Sequence, residues 1–502
     1  MADCNDGTAD VPDAEVKQFF QKGLELYGRD TPNNSARLTP AMMKYGADLT
    51  YKSTLSVEDA HLLRRMLRTG PRVRKLRLHR IMYEAFRVAF HHRGECSSLK
   101  EVHFGLVDCS GKDLGISRCG WFRRLHSLHL RCVHTGCAFT EDIASYIKQN
   151  KFLRELGLSV SCGGVEGVAT LTATLTENDT LKKFCLADVF LPSYTVISFA
   201  NLLTCNDTLE LVDLTEACRV GKNQLRPLLR QELYSGVFRR LKIVWPVQLI
   251  SEVTEILQEG RCCPRLWVSL ADGATEEDLR KVFTAAFNDK MLCELRLECT
   301  EAVYLANESH IMLMFEPTTT LRDVGIAIRG PFDNQTKFID IMEAMRKNSS
   351  ITKLSINTRA LTFEMAIALS EMLPRNRTLH HVAFDNRHEA SPAEVKTIIK
   401  GLRKNYILTS LKIRYKPHDS VESRELTALL ERNMILLDKA ADFVISGAGV
   451  SDEKGVYALN RIYSSACLVE YVQRMTGRTT EVAKEDVQAA LDKACESHGY
   501  YN

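Results

Sequence analysis

The sequence predicts an α/β solenoid, a stack of strand–helix repeats with a parallel sheet on one side and helices on the other. Three observations carry that expectation. Asparagines recur at a fixed interval: Asn150, Asn178 and Asn206 stand 28 residues apart, and Asn348, Asn376, Asn405 and Asn433 follow at 28, 29 and 28. Three positions after each of the first three begins a Leu-x-x-Leu-x-Leu pattern: Leu153, Leu156, Leu158; Leu181, Phe184, Leu186; Leu209, Val212, Leu214. Between the patterns, apolar residues fall at i, i+3, i+4 and i+7, the spacing of one buried helix face.

The pattern begins upstream at Val73, Leu99 and Leu125, and "ADLTYK" around Leu49 reads as a degraded earlier copy. Downstream it begins at Phe238, Cys263, Leu292, Leu321, Ile351, Leu379 and Leu408, which gives about 13 copies spaced 25 to 30 residues apart. Each Leu-x-Leu pair alternates as a short strand burying one face. "EDIASYIKQN", "VEGVATLTATLTEN" and "PAEVKTIIKGLRKN" are predicted helices. Ser391-Pro-Ala-Glu394 is a capping box with proline in the first turn, so it fixes a helix start. The recurrent asparagine falls just past each helix, where a left-handed residue is wanted. Gly70 and Gly260 hold the same place in other repeats, as a C-terminal stop requires.

A single strand–helix unit cannot bury a core alone, so the copies must stack, and the ends of the stack must be covered. Residues 49–436 are read as the solenoid, 1–48 as a tail with a helical cap from Ala14 to Tyr27, and 437–502 as a C-terminal helical cap. In the last, "LLDKAADFVIS", "ALNRIYSSACLVEYVQRM" and "TEVAKEDVQAALDKACES" leave the register and read as helices.

A period in this range with this pattern is that of a leucine-rich repeat solenoid, a horseshoe. The chain resembles the ribonuclease-inhibitor type, the 28/29-residue class with a full helix per repeat, which also forms the C-terminal sensor region of NLR immune receptors. Two departures stand out. The family's Asn or Cys three residues past the last strand leucine is replaced by Ile81, Val107, Val133, Ser161 and Val189, so its hydrogen-bonded ladder is missing or replaced. No Gly-x-x-x-x-Gly-Lys-Ser/Thr loop occurs, so the chain reads as repeat-only, without a nucleotide-binding region.

Composition narrows the function. A formal net charge of +3 over 502 residues argues against a general polyanion binder. No apolar run approaches the ~18 residues that suggest a membrane span. Sixteen cysteines behind an N-terminus with no secretory pattern read as reduced thiols in the cytoplasm or nucleus. There the Asn-x-Thr sites at Asn178 and Asn206 would not meet the glycosylation machinery.

If the leucines point inward, their neighbours form the concave face. Two basic patches result: Lys75, Arg77, His79, His103, His129 and Arg131; and Arg240, Lys242, Arg265, Trp267 and Arg296. A tryptophan among arginines has the composition of an interface hot spot. Nucleic acid would want a longer basic stripe with more aromatics. The Cys and His residues between His91 and Cys137 lack the close pairs of a zinc site, and no Gly-x-Ser-x-Gly elbow, His-Glu-x-x-His helix or kinase signature occurs. No cofactor or metal is expected. The expected function is a protein-interaction scaffold or sensor, with a place in innate-immune-type signalling implied by the resemblance, binding an acidic protein partner on the concave face. The alternative is a substrate-recognition subunit of a larger complex such as a ubiquitin ligase, docking through its caps.

Overall fold

The computed structural model describes residues 47–69, 73–91, 98–109, 112–133, 138–159, 164–187, 194–216, 222–270, 275–316, 320–329, 335–386, 388–415, 420–447 and 452–498. The helix expected over Ala14–Tyr27 and the stop at Gly70 lie outside them. The chain divides into two compact units, residues 1–243 and 244–502.

The first unit contains one parallel sheet in chain order: β1 (Ala47–Leu55), β2 (Val73–Met82), β3 (Glu101–Asp108), β4 (Ser127–Val133), β5 (Glu155–Ser159), β6 (Lys183–Ala187), β7 (Leu211–Asp213) and β8 (Leu241–Lys242). The "ADLTYK" segment thus forms a strand paired with β2. Helices Val57–Thr69, Tyr83–Phe90, Ala138–Gln149, Gly164–Thr176, Thr195–Cys205 and Lys222–Leu229 connect most strands. Between β3 and β4 two 3-10 turns, Ile116–Arg118 and Gly120–Phe122, take the helix's place. The Asp142 carboxylate holds the first of them, accepting from the backbone N–H groups of Ile116 and Ser117 and from the Ser117 hydroxyl.

The second unit contains β9 (Val244–Pro246), β10 (Arg265–Ser269), β11 (Glu294–Thr300), β12 (Asp323–Arg329), β13 (Lys353–Thr358), β14 (His381–Asn386) and β15 (Ser410–Lys412), again parallel and in chain order. The Ser391–Glu394 capping box opens helix Pro392–Leu402 as expected. In both units the pattern residues from Val73 to Leu408 are buried, while Leu411 on the edge strand is half-buried. Parallel strands alternating with helices fit a leucine-rich repeat solenoid.

The boundary expected at residue 436 falls inside one 26-residue helix, Val421–Ser446. With helices Glu453–Ile462, Ala466–Thr476 and Thr480–His498 it builds a second core, in which Leu437, Phe443, Leu459, Leu468 and Val472 pack with Ile407. The solenoid pattern ends earlier than the sequence register implied because Asn433 lies in the middle of a helix, fully buried.

The recurrent asparagine has a different reason from the expected one. Asn206 has φ −118° and ψ 112°, an extended conformation, whereas Gly260 does take the left-handed conformation at φ 61°. Asparagine is required for its side chain. In Asn206 the Oδ1 accepts from the N–H groups of Thr208 and Leu209, both at 2.8 Å, clamping the entry to the next strand. Its Nδ2 donates to the carbonyls of Leu175 (2.7 Å) and Asn178 (2.9 Å) in the preceding repeat. Asn376 repeats the arrangement on Thr378, Leu379, Met345 and Asn348, and Asn405 on Ile407, Leu408, Leu373 and Asn376. This buried ladder satisfies backbone groups that would otherwise be orphaned at helix ends. The Thr of the Asn-x-Thr sequence lies beside that amide, Thr180 Oγ1 being 3.4 Å from Asn178 Oδ1. At the end of β14, Asn386 also bridges repeats, donating to the Arg414 carbonyl and accepting from its N–H.

Where a run of asparagines stops, an arginine takes over. Arg240 donates to the carbonyls of Leu203, Asn206 (2.6 Å) and Leu209 (3.1 Å). Arg432 donates to Leu402 (3.1 Å), Arg403 and Asn405. In each case the acceptors include the last asparagine's carbonyl and the one three residues before it, the pair an asparagine of the next repeat would have used.

Candidate functional site

On the first sheet the residues flanking the buried leucines form two registered rows. One runs Lys75, Glu101, Ser127, Glu155, Lys183, and the other Arg77, His103, His129, Gly157, Cys185, Asp213, Lys242. His103 and His129 stack, ring centroids 5.4 Å apart and planes 19° from parallel. Gly157 makes this possible, since a Cβ there would lie 2.2 Å from His129 Nδ1. The His129 ring lies over a position with no side chain and reaches Glu155, Nε2 to Oε1 3.4 Å.

The charges of this cluster sort into paired and unpaired. Glu101 accepts from Lys75 and Arg74, and Asp213 faces Lys242 at 3.3 Å. Glu155 is held below the usual carboxylate range, first by its hydrogen bond with His129. His103 is pushed down to about 4, first by the water lost where its ring is covered, then by the positive neighbours His129, Arg77 and Lys75. Arg77, Arg131 and Lys183 have no ion-pair partner among the described residues. His79 and Arg131 are exposed, on β2 and β4. Of the first predicted patch, Arg77, His103 and His129 adjoin in one row and Lys75 lies in the other, beside Glu101, while Lys183 stands outside the predicted set.

The second patch divides. Arg240 and Lys242 belong to the first unit and Arg265, Trp267 and Arg296 to the second. The first two are also occupied: Arg240 caps backbone carbonyls, and Lys242 is buried against Asp213, 7% exposed. Reading both as free surface charges is corrected by these contacts. Charge placement alone does not show that a guanidinium is needed by neighbouring backbone.

Trp267 and Arg296 sit side by side across β10 and β11, and the guanidinium lies over the indole, 5.7 Å from its centroid. Gly325, next in the row, gives Arg296 its space, because a Cβ there would lie 3.0 Å from Arg296 Cγ. The half-buried Trp267 lies on the polar side of β10, where sequence placed it, opposite the buried Leu266 and Val268. Arg296 is ion-paired, 2.9 Å to Glu294 and 3.6 Å to Asp323, and Arg265 lies 3.8 Å from Glu294. The tryptophan is thus ringed by balanced charge rather than by an excess of arginine.

Further along this sheet, Lys353, His381 and Lys412 form a basic group outside the predicted set. Lys353 pairs in register with His381, and Ala383 with Lys412. The two lysines lack ion-pair partners among the described residues. His381 is pushed down to about 4 by burial, then by Lys412, Lys353 and Arg296. The signal was available: Lys353 precedes Leu354 as Lys75 precedes Leu76.

No family model matches the chain, and no curated protein matches it. Among solved structures, the Rad7 and Elc1 complex of yeast is similar at 16% identity, covering 80% of this chain and 88% of that one, TM-score 0.40. Leiomodin-1 actin-binding site 2 aligns at 19% identity, over 37% of this chain and 90% of that one, TM-score 0.23. A complex of TLR13 with ssRNA13 aligns at 12% identity over 68% and 39%, TM-score 0.24. At these scores the superpositions decide neither fold nor function, and the fold rests on the strand–helix alternation itself. No described helix is long and apolar enough to cross a membrane.

Proposed function

We propose that the chain is a leucine-rich repeat horseshoe of about 13 repeats, of the ribonuclease-inhibitor type, acting as a protein-interaction scaffold or sensor in the cytoplasm or nucleus. Its partner is a protein with an acidic surface. The observation that carries this reading is the first-sheet cluster: His103 and His129 stacked over Gly157, with Arg77, Arg131 and Lys183 making no ion pair among the described residues. Unpaired charges on a rigid sheet provide electrostatic complementarity and steering toward an opposite surface. Trp267 under Arg296 supplies a second contact of a different kind, an aromatic anchor in a neutral setting.

The test is a pull-down from source lysate with folded variants of two kinds. Arg77→Glu with Arg131→Glu and Lys183→Glu is expected to release the partner that wild type retains, and added salt to do the same. Trp267→Ala is expected to weaken binding through the second sheet without changing its salt dependence. A partner retained by both variants would overturn the assignment to the sheet faces.

A further inference from the structure

The C-terminal helices carry a side-chain arrangement that neither sheet face uses. Tyr406, in the segment before β15, has the Arg432 guanidinium 4.5 Å and the Arg461 guanidinium 5.0 Å from its ring centroid. Arg461 also lies over Tyr457, at 5.3 Å. Three pieces of chain therefore contribute to one ladder, Arg432–Tyr406–Arg461–Tyr457: the approach to β15, helix Val421–Ser446 and helix Glu453–Ile462.

Its members differ in what they already do. Arg432 is committed to the carbonyls of Leu402 and Asn405. Arg461 is exposed and makes no ion pair or hydrogen bond among the described residues, its only contacts of this kind being the two tyrosine rings. Tyr457 is 51% exposed, and Ile435, three residues from Arg432 along the same helix, is 48% exposed. Two guanidinium charges converge on one ring, neither of them in an ion pair among the described residues, and the rings hold Arg461 before anything binds. A charged fork held between aromatic faces loses little freedom on meeting an anion.

We infer that this ladder is a docking surface for an acidic protein segment, which seats a carboxylate on Arg461 and lays an apolar side chain against Tyr457 and Ile435. The site suits a protein segment rather than a nucleic acid. It offers one uncommitted guanidinium with the exposed Tyr457 and Ile435, a match for one carboxylate and one apolar side chain, whereas a nucleic acid would want a run of cations along its backbone. The surface is separate in residues from the sheet faces, so it stands whether or not they bind.

The test uses the full chain and fluorescence anisotropy. The probes are a fluorescein-labelled decapeptide of alternating Glu and Leu, its Gln/Leu counterpart, and a ten-nucleotide oligothymidylate. The Glu/Leu peptide is expected to bind and the Gln/Leu peptide not to. Arg461→Glu is expected to weaken binding at least tenfold, with Arg461→Gln intermediate and an unchanged urea midpoint showing that both are folded. Arg474→Glu, which alters an arginine on Tyr471 in the neighbouring helix, and Arg77→Glu on the first sheet are expected to change nothing. Failure of the Glu/Leu peptide to bind, binding indifferent to Arg461, or an oligothymidylate that binds more tightly through Arg461 would each overturn the proposal.

Discussion

Arg240 offers a direct way to separate framework from binding surface. Its guanidinium supplies donors to three carbonyls, those of Leu203, Asn206 and Leu209. Charged hydrogen bonds contribute about 1.5–3 kcal/mol each. The side chain is 22% exposed, so water recovers part of that when it is removed. At about 1 kcal/mol net per carbonyl, Arg240→Ala costs about 3 kcal/mol, a factor of about 150 in the local opening equilibrium. Arg240→Glu is worse, because a carboxylate then faces three carbonyls with Asp207 alongside. Arg240→Lys restores part of the stability with fewer donors. The two units need not open together, so the assay is native-state hydrogen exchange followed peptide by peptide. Amides of β7, β8 and helix Thr195–Cys205 should exchange about 100-fold faster in Arg240→Ala, while β10 to β14 keep their protection. Unchanged exchange with loss of a protein partner would refute the reasoning and return Arg240 to the binding surface.

Three further outcomes follow from the same contacts. Gly157→Ala should displace His129 and break the stack, so the His103 pKa, read by proton NMR, should move up from about 4 toward its ordinary value. His380, 8% exposed, is pushed down to about 4 by burial, then by Lys353 and His381. Since its folded pKa lies below the unfolded value near 6.5, the unfolded state binds more protons as pH falls, so stability is lost between about pH 6.5 and 4. His380→Gln should flatten that part of the urea-midpoint profile of the second unit. Asn376→Asp keeps the acceptor for Thr378 and Leu379 but points a carboxylate at the carbonyls of Met345 and Asn348. Burial and those carbonyls raise its folded pKa, so the variant should be least stable at neutral pH and regain stability as pH falls toward 4, whereas Asn376→Ala should show no such recovery.

Much of the fold was legible because its signals are local and repeated. A Leu-x-Leu alternation fixes which face of a strand is buried, and repetition at 25 to 30 residues fixes the stacking. The same register sets His103 beside His129 and Trp267 beside Arg296. What the pattern could not reveal is which side chains neighbouring backbone would claim. Arg131 and Arg240 look alike in sequence, each flanking a buried leucine. One projects from β4 with no ion pair among the described residues, and the other follows a 3-10 turn and reaches back to orphaned carbonyls.

The asparagine runs supply a rule for making that distinction. A helix end in the interior of the stack presents carbonyls that must be met, and the next repeat's asparagine meets them wherever the spacing holds. When the spacing breaks, the unmet carbonyls remain, and the nearest long donor is drawn to them. After Asn206 the position three before Phe238 is Ser235, too short to serve the previous repeat, and Arg240 serves it instead. After Asn405 the chain turns into a long helix, and Arg432 closes the run from within it. An arginine in the repeat that ends an asparagine run should therefore be assigned to the framework before any charge on the face is counted. Applied to this chain, the rule removes Arg240 from the basic face, leaves Arg77, Arg131 and Lys183 on it, and within the Tyr406 ladder separates the committed Arg432 from the available Arg461.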